Sequence, residues 1–303
     1  MKRSYRLLLS VLSGVLLSLA WLGFPGWTLF FAFLPLLILD NFFVEQKQNF
    51  KGVSFWGHAF LSFFIWNSLT TWWVMHATVL GGLMAILVNS TLMSLTWWLA
   101  HAARRKFKKN LGYLAIVLFW ISFEFFHYHW DFEWPWLTLG NGFANNVKLV
   151  QWYEFTGVFG GTLWILVLNI LLFKAGFKYL QGQNIKQNIF PLVLILLVLL
   201  TPIIPSLLMY SSYKEKEKPK KIVIVQPNID PYSESYSLQA ENEKLKKFIA
   251  LSSSMASDST DFIIGPETVF ENPGYWNEAL LKYNQFYSHL LNLILKYQKA
   301  ELV

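Results

Sequence analysis

The sequence predicts a polytopic α-helical membrane bundle of about seven spans, followed by an incomplete α/β domain. Hydrophobic residues make up 54% of the 303 residues and charged residues only 14%, which is outside the balance of ordinary soluble domains. The long apolar runs lie before residue 210, whereas the remainder has a globular composition. We therefore predict a transmembrane domain over residues 1–209, a charged linker over 210–221 and the start of a water-soluble domain over 222–303.

The apolar runs approach the roughly 20 residues that a helix needs to cross a bilayer. The first two runs are separated only by a Gly-Phe-Pro-Gly sequence, which predicts a tight helical hairpin. The first run also resembles a signal peptide, but the apolar character resumes at once, which favours a retained hairpin. The predicted spans are residues 7–22, 24–40, 53–75, 78–100, 111–127, 154–174 and 189–209.

Lysine and arginine residues are concentrated in alternate loops. The loops on the side of the amino terminus hold nearly all of those before residue 210, and the opposite loops hold only Lys148. Because such residues tend to stay in the cytoplasm, the amino terminus is predicted to be cytoplasmic and the segment after residue 210 to lie across the membrane. This topology explains the net charge of +7 better than nucleic-acid binding does.

The long loop between the fifth and sixth predicted spans, residues 128–153, is rich in tryptophan. An interfacial belt at the level of the lipid headgroups explains these residues without any substrate. A contact between a lipid substrate and Trp134 or Trp136 stays open beside that interpretation.

Titratable residues lie around the start of the same loop. Glu124 is near the end of an apolar span, where a carboxylate is costly unless it is paired or solvated, so pairing with His127 and a functional role both stay open. Four residues alternate and would share one face of an extended chain: His127, His129, Asp131 and Glu133. The adjacent Trp-Pro sequence disfavours a regular strand, and without a second ligand cluster we predict no metal site.

Two runs after the linker have the pattern of buried strands. IVIVQPNI at residues 222–229 and DFIIGPET at 261–268 lack polar alternation, which predicts parallel strands buried on both faces. Residues 301–303 are predicted to begin a third strand. Since two complete strands cannot close a parallel sheet, its edges are expected to stay unpaired.

Two helices are predicted from apolar residues at steps of three and four, one between the strands and one after the second strand. The first stripe contains Leu238, Leu245, Phe248, Ile249 and Met255. The second contains Leu280, Tyr283, Tyr287, Leu290, Leu291, Ile294 and Tyr297.

Glu267 follows Gly265-Pro266 at the end of the second predicted strand. Reactive groups of open parallel sheets collect just beyond the carboxyl ends of the strands. Position alone leaves two roles open: a solvated or capping carboxylate, or a general base whose pKa is raised by partial burial.

Three stretches, in their order along the chain, resemble the apolipoprotein N-acyltransferases, bacterial inner-membrane enzymes whose periplasmic domain belongs to the nitrilase superfamily of carbon–nitrogen hydrolases. The first is FEFFHYHWDFEWPWLTLGN at 123–141, with a Pro-Trp-Leu sequence and a following glycine. The others are VIVQPNIDPYSESY from Val223 and DFIIGPETVFENPGYW from Asp261. The likeness covers essentially the whole chain and implies that residues 222–303 begin a nitrilase-like domain.

The resemblance implies an acyltransferase with a Glu-Lys-Cys triad, in which the glutamate of Pro-Glu-Thr, here Glu267, is the general base. A cysteine thiolate takes an acyl chain from a phospholipid as a thioester, and the amine of a diacylglyceryl-cysteine on an apolipoprotein then accepts the chain. No cofactor is expected. The expected substrate contacts are Trp134, Trp136 and Tyr236, and the expected location is the inner membrane, with the carboxyl-terminal segment in the periplasm.

The chain departs from this pattern in two places. It contains no cysteine and stops before the region in which the family has its lysine, its nucleophile and a final membrane helix, so these residues alone are expected to be inactive. It also has His127 where relatives commonly have an arginine. Two alternatives stay open: a membrane-tethered nitrilase-type amidase and a non-catalytic membrane protein fragment.

Overall fold

The protein consists of two compact units, Met1–Tyr213 and Lys214–Val303, which we call the membrane unit and the sheet unit. The computed structural model describes residues 1–107, 110–180, 189–229, 238–267, 269–270, 285–297 and 299–302.

The membrane unit is a bundle of α-helices. They are α1 (Arg3–Ser18), α2 (Leu29–Ala32), α3 (Leu34–Glu45), α4 (Val53–Thr71), α5 (Val79–Lys106), α6 (Asn110–His127), α7 (Tyr153–Leu180) and α8 (Phe190–Ser212). Short 3₁₀ segments extend α1 and α4 and form much of the connection between α6 and α7. The end at which α6 stops and α7 starts is called the loop end, and the end with Arg104, Arg105 and Lys106 is called the basic end.

Six helical stretches among the described residues are long and apolar enough to cross a membrane. They are Arg3–Leu22, Gly26–Glu45, Val79–Lys106, Asn110–His127, Tyr153–Tyr179 and Phe190–Ser212. The third predicted span corresponds to α4, which is not among them. This helix carries the polar residues Ser62, Asn67 and Thr71, all of which are buried inside the bundle, and they lower its mean hydropathy.

The predicted hairpin between the first two spans is present. Gly23 ends the first span in the left-handed region, with φ of 91°, a conformation that favours glycine. The second span is broken between α2 and α3, where the side-chain amide of Asn169 from α7 separates two backbone groups that would pair in a continuous helix. Asn169 donates to the Leu29 carbonyl at 2.8 Å and accepts from the Phe33 N–H at 2.9 Å, so both groups are satisfied.

A buried charged cluster joins helices at the basic end. Asp40 of α3 is fully buried, and its two carboxylate oxygens contact His101 and Arg104 of α5. The guanidinium of Arg104 lies 4.1 Å from the ring centroid of Tyr113 on α6, and Phe55 of α4 stacks on His101. A carboxylate inside an apolar bundle requires such partners.

The helix α8 is attached to α7 by a hydrogen bond that depends on a proline. Pro202 has no N–H, which leaves the carbonyl of Val198 without its usual helical donor. The indole Nε1 of Trp164 donates to that carbonyl at 2.8 Å. The carbonyl group that the proline leaves without a helical donor is thus hydrogen-bonded within the protein.

The sheet unit contains three short parallel strands in the order β1-β2-β3, which confirms the parallel sheet and its third strand. The strands are β1 (Ile222–Ile224), β2 (Phe262–Ile264) and β3 (Glu301–Leu302), and the helices are α9 (Leu238–Met255) and α10 (Gln285–Lys296). The positions of Leu280 and Tyr283 lie outside the described residues.

The prediction that the strands are buried on both faces is wrong for the described residues. Val223 and Ile263 point into a core with Phe248 of α9, whereas Ile222 and Ile224 are 48% and 77% exposed. The strands follow one another across the sheet in chain order, and their two crossover connections have the same hand. Both connecting helices, α9 and α10, therefore lie on one face of the sheet, and the second face stays exposed. Met255 was predicted on the buried stripe but is 72% exposed at the end of α9.

Asp261 joins the strands at the edge opposite their carboxyl ends. Its carboxylate accepts from the backbone N–H of Lys221 at 2.8 Å and from the ammonium groups of Lys299 at 3.0 Å and Lys220 at 3.2 Å. The backbone N–H of Lys221, followed by the Lys299 ammonium, lowers the pKa of Asp261 from 3.8 to about 2.

Candidate functional site

The first candidate group is Glu267, which lies at the carboxyl edge of the sheet. Strand β2 ends at Ile264 and is followed by Gly265-Pro266. The next residue, Glu267, has an exposed side chain. A side chain at Gly265 would meet the ring of Phe248 at 2.9 Å, so glycine lets the chain pass closely over the core. The carboxylate therefore lies where an open parallel sheet presents reactive groups.

The predicted contact residue Tyr236 lies outside the described residues. The described part of the sheet unit therefore contributes Glu267 to the candidate site.

Glu124 is the centre of a hydrogen-bond network at the loop end. It is buried, and one carboxylate oxygen accepts from Trp120 Nε1 at 2.9 Å and from the Leu139 N–H at 2.8 Å. The other oxygen accepts from the hydroxyl of Thr162 at 2.6 Å. The suggested pairing of Glu124 with His127 is wrong, because the donors come from α6, the loop and α7.

The same network holds the Pro-Trp-Leu segment and its following glycine against α7. The N–H of Gly140 donates to Thr162 Oγ1 at 3.2 Å, and its carbonyl accepts from the Tyr153 hydroxyl at 3.0 Å. A Cβ atom at position 140 would overlap the carbonyl oxygen of Val158. Glycine is needed here because two backbones meet, and Glu124 acts as a brace for the loop.

The two predicted tryptophans have different surroundings. Trp136 is 55% exposed, packs edge-on against Trp73 at 5.4 Å, and its carbonyl accepts from Trp21 Nε1 at 3.0 Å. Trp134 is half-buried, and its Nε1 has no hydrogen-bond partner among the described residues. The loop backbone is thus hydrogen-bonded to the first hairpin at Trp136, whereas the indole N–H of Trp134 has no acceptor among the described residues.

His127 was considered from the sequence as a metal ligand or as a partner of Glu124, and its ring has neither role within the described residues. Its ring is 4% exposed, and neither ring nitrogen has a hydrogen-bond partner within the described residues. The ring packs edge-on against Phe123 at 4.5 Å and Trp130 at 5.4 Å, and Trp130 Nε1 is likewise unpartnered. Each buried polar group left without a partner costs about 1–3 kcal/mol.

The alternating His, Asp and Glu residues do not form an extended face. Residues 128–132 are turns and bends, and His129 is exposed, where its Nδ1 bonds the Phe125 carbonyl at 2.7 Å. His127 is buried and His129 is exposed, so their rings do not converge. Within the described ranges, no group of three or more His, Cys, Asp or Glu residues is placed to hold a metal ion.

Comparisons with known proteins cover both units. Residues 13–171 match the family described as apolipoprotein N-acyltransferase N-terminal domain. The chain is 26% identical over 268 residues to an apolipoprotein N-acyltransferase of Chlorobaculum tepidum, which covers 86% of this chain and 48% of the relative. It is 26% identical over 273 residues to one of Geobacter metallireducens, covering 88% and 51% of the two chains.

A third similar protein, an apolipoprotein N-acyltransferase of Bdellovibrio bacteriovorus, is 24% identical over 302 residues, with 92% of this chain and 52% of the relative covered. The chain therefore spans about half the length of the curated relatives it matches. These matches confirm the resemblance predicted from the sequence.

Proposed function

The chain belongs to the apolipoprotein N-acyltransferase family, whose amino-terminal domain matches residues 13–171, and we propose that it provides the membrane scaffold and the general base of such an enzyme. The enzyme would transfer an acyl chain from a phospholipid to the diacylglyceryl-cysteine amine of an apolipoprotein. One observation carries the catalytic part of this proposal. Glu267 follows a Gly-Pro turn directly after the central strand of a parallel sheet.

The proposed reaction has two covalent steps. A cysteine thiolate attacks the acyl ester carbonyl of the phospholipid, the ester C–O bond breaks, and lysophospholipid leaves with a proton, so that a thioester remains. The acceptor amine then attacks the thioester, the C–S bond breaks, an amide forms and the amine proton returns to the thiolate. Glu267 takes the thiol proton in the first step and passes it to the leaving alkoxide.

We propose that the lysine and the cysteine lie in sequence beyond these 303 residues, which contain no cysteine. The half-length coverage of the relatives supports this arrangement. Residues 222–303 would then be the first part of a nitrilase-like domain, and the exposed second face of its sheet would be packed in the longer protein.

We also propose that α4 is a seventh span and that the sheet unit lies in the periplasm of a bacterial cell. At about 1.5 Å per residue, the helix Val53–Thr71 is about 28 Å long, close to the thickness of the hydrocarbon core. With seven spans the sheet unit would lie across the membrane from the amino terminus, and the distribution of lysine and arginine supports this orientation. A reporter enzyme that is active only outside the cytoplasm, fused after Lys221, should be active, and a silent fusion would reject this orientation.

Acyl transfer tests the proposed function. The purified 303-residue chain should not transfer an acyl chain from phosphatidylethanolamine to a diacylated lipopeptide, whereas the chain extended by its downstream reading frame should. In the extended chain, Glu267→Gln should lower the rate by about 10²-fold or more, as expected for the loss of a general base.

Glu243→Gln, a change of an exposed carboxylate on α9, is the matched control and should leave the rate unchanged. Transfer by the 303 residues alone would disprove the proposed division of catalytic groups. Hydrolysis of small amides by the extended chain, without acyl transfer, would favour the amidase alternative.

A further inference from the structure

An apolar groove runs along the surface between α5 and α6. Two cavities of about 390 Å³ and 350 Å³ share Phe119 and Ser122 and together form this groove. It extends from Ala103 and Phe107 at the basic end to Phe126 at the loop end. Apart from Ser122 and Thr96, its lining is hydrocarbon or aromatic, which suits an alkyl chain.

The groove is longer than the hydrocarbon region of one bilayer leaflet. Along α6 it reaches from Leu111 to Phe126, about 22 Å at roughly 1.5 Å per residue. The hydrocarbon region of one bilayer leaflet is about 15 Å thick, half of a roughly 30 Å core. A single acyl chain whose ester end is at the loop end can therefore lie entirely within the groove.

The unpartnered polar groups of His127 and Trp130 lie behind two aromatic rings that line the loop end of the groove. Phe123 lines the groove and contacts the ring of His127 at 4.5 Å, and Phe126 lines it and contacts Trp130 at 5.0 Å. The nitrogen atoms of His127 and the Nε1 of Trp130 lack hydrogen-bond partners among the described residues. Buried donors are seldom left in this state, so their position beside an alkyl groove points to an oxygen-rich ligand head.

We propose that the groove between α5 and α6 binds one acyl chain of a glycerophospholipid, and that His127 and Trp130 donate hydrogen bonds to the oxygens of its ester or phosphate end. The nitrogen atoms are shielded from solvent in this structure, so binding requires the Trp130 side chain to turn outwards from the loop. The inference rests on the proposed function only for the class of lipid, since the acyl donor is proposed to be a phospholipid.

Photolabelling of the whole 303-residue chain in phosphatidylcholine vesicles tests the position of the acyl chain. The probe is a phosphatidylcholine that carries a diazirine on one acyl chain, and the labelled residues are located by peptide mass spectrometry. Residues of the groove, such as Phe119, should be labelled at least about fivefold more than exposed residues of α8, such as Leu197. Equal labelling of the two surfaces would overturn the proposal.

Two substitutions separate a filled groove from a general change in lipid contact. Ala115→Trp should fill the groove and lower its labelling about fivefold, whereas Leu196→Trp on the exposed face of α8 should not change it. Should Ala115→Trp fail to fold, Leu118→Trp at the exposed margin of the groove is the second variant. Unchanged labelling in a folded groove variant contradicts the proposal.

The polar end is tested with a second probe, a diazirine-labelled diacylglycerol that lacks the phosphate. His127→Phe and Trp130→Phe should each lower labelling by the phospholipid about fivefold, the effect of one lost hydrogen bond. If they bind the phosphate, labelling by the diacylglycerol should not change, and if they bind the ester, both probes should fall together. No effect on either probe would overturn the assignment of these residues.

The labelling measures occupancy and not acyl transfer. A groove that binds phospholipid in a protein whose extended form lacks acyltransferase activity would reject the proposed function alone. Activity without selective labelling would reject the groove alone.

Discussion

In the membrane unit, buried polar side chains join helices that are distant in sequence, whereas the sheet unit is held mainly by apolar contacts on one face of its sheet. Asn169, Glu124 and Asp40 each connect at least two helices or a helix and a loop. The core of the sheet unit consists instead of apolar and aromatic side chains around Val223 and Phe248.

The difference follows from the two solvents. In a bilayer, apolar burial does little to select one helix pairing over another, so specific polar contacts and close backbone approach define the arrangement. In water, apolar area drives association, and a sheet covered on one face buries little of it. Perturbation of a single polar contact should therefore affect the membrane unit strongly, while the sheet unit should respond to the loss of buried apolar volume.

The largest effect is expected from Glu124→Ala. It leaves the Leu139 N–H, the Trp120 indole and the Thr162 hydroxyl without their acceptor and should lower the free energy of unfolding of the membrane unit by about 3–5 kcal/mol. Glu124→Gln keeps one acceptor oxygen and should cost less. Thermal unfolding in detergent micelles measures both, with the exposed Glu133→Ala as control, and a Glu124→Ala protein as stable as that control would show that the network is not a brace.

Gly140→Ala should have the next largest effect. The added methyl group would overlap the Val158 carbonyl and force α7 and the loop apart, at a cost of about 3 kcal/mol. Gly176→Ala on α7 is the matched control, because no atom lies near its added Cβ and alanine favours a helix by about 0.5–1 kcal/mol. Opposite shifts in unfolding temperature are expected, and shifts of the same sign would contradict close packing at position 140.

The two faces of β1 allow a smaller and more local test. Val223→Ala removes buried volume and should lower the stability of the sheet unit by about 2 kcal/mol, whereas Ile224→Thr should stay within about 0.5 kcal/mol. Hydrogen exchange of the β1 and β2 amides in the 303-residue chain reports both. A large effect of Ile224→Thr would show that the second face is already covered and would weaken the comparison of the two units.

The smallest effect should come from Asp261→Asn and should depend on pH. The pKa of Asp261 is lowered to about 2, so its contribution to stability is present above the ordinary pKa near 3.8 and is lost as the pH falls through about 2. The lysine partners are exposed and screened by solvent, which limits the effect. Calorimetry between pH 2 and pH 6 should show wild type and variant converging at the acid end, with Asp258→Asn as the exposed control; a constant difference would exclude the linkage.

Periodicity and length predicted the helices, the hairpin, the parallel strands and the third strand, because these features depend on local sequence. The cost of an intramembrane carboxylate singled out Glu124 but did not identify its acceptor role toward Thr162 and Leu139, which only the packing of α6 against α7 brings together. Asp40 carried the same signal within an apolar run and was overlooked. The exposed face of β1 could not be predicted from residues that are β-branched on both sides.

The candidate site was predicted only in part. The end of a strand followed by Gly-Pro marked Glu267, and its position at the sheet edge agrees with that pattern. His127 was considered as a metal ligand or as a partner for Glu124, yet its ring has neither role in the described residues. An unpartnered side chain is invisible to sequence analysis because it is defined by the atoms that surround it.

The amide of Asn169 has a consequence for how the chain is made. Ribosomes deliver α2 and α3 to the membrane long before α7, so the N–H of Phe33 and the carbonyl of Leu29 enter the bilayer without the side chain that later separates them. Until α7 arrives, these two groups lack the side-chain amide that later satisfies them. The hydrogen bonding at the break in the second span is therefore completed only when α7 packs against the amino-terminal hairpin.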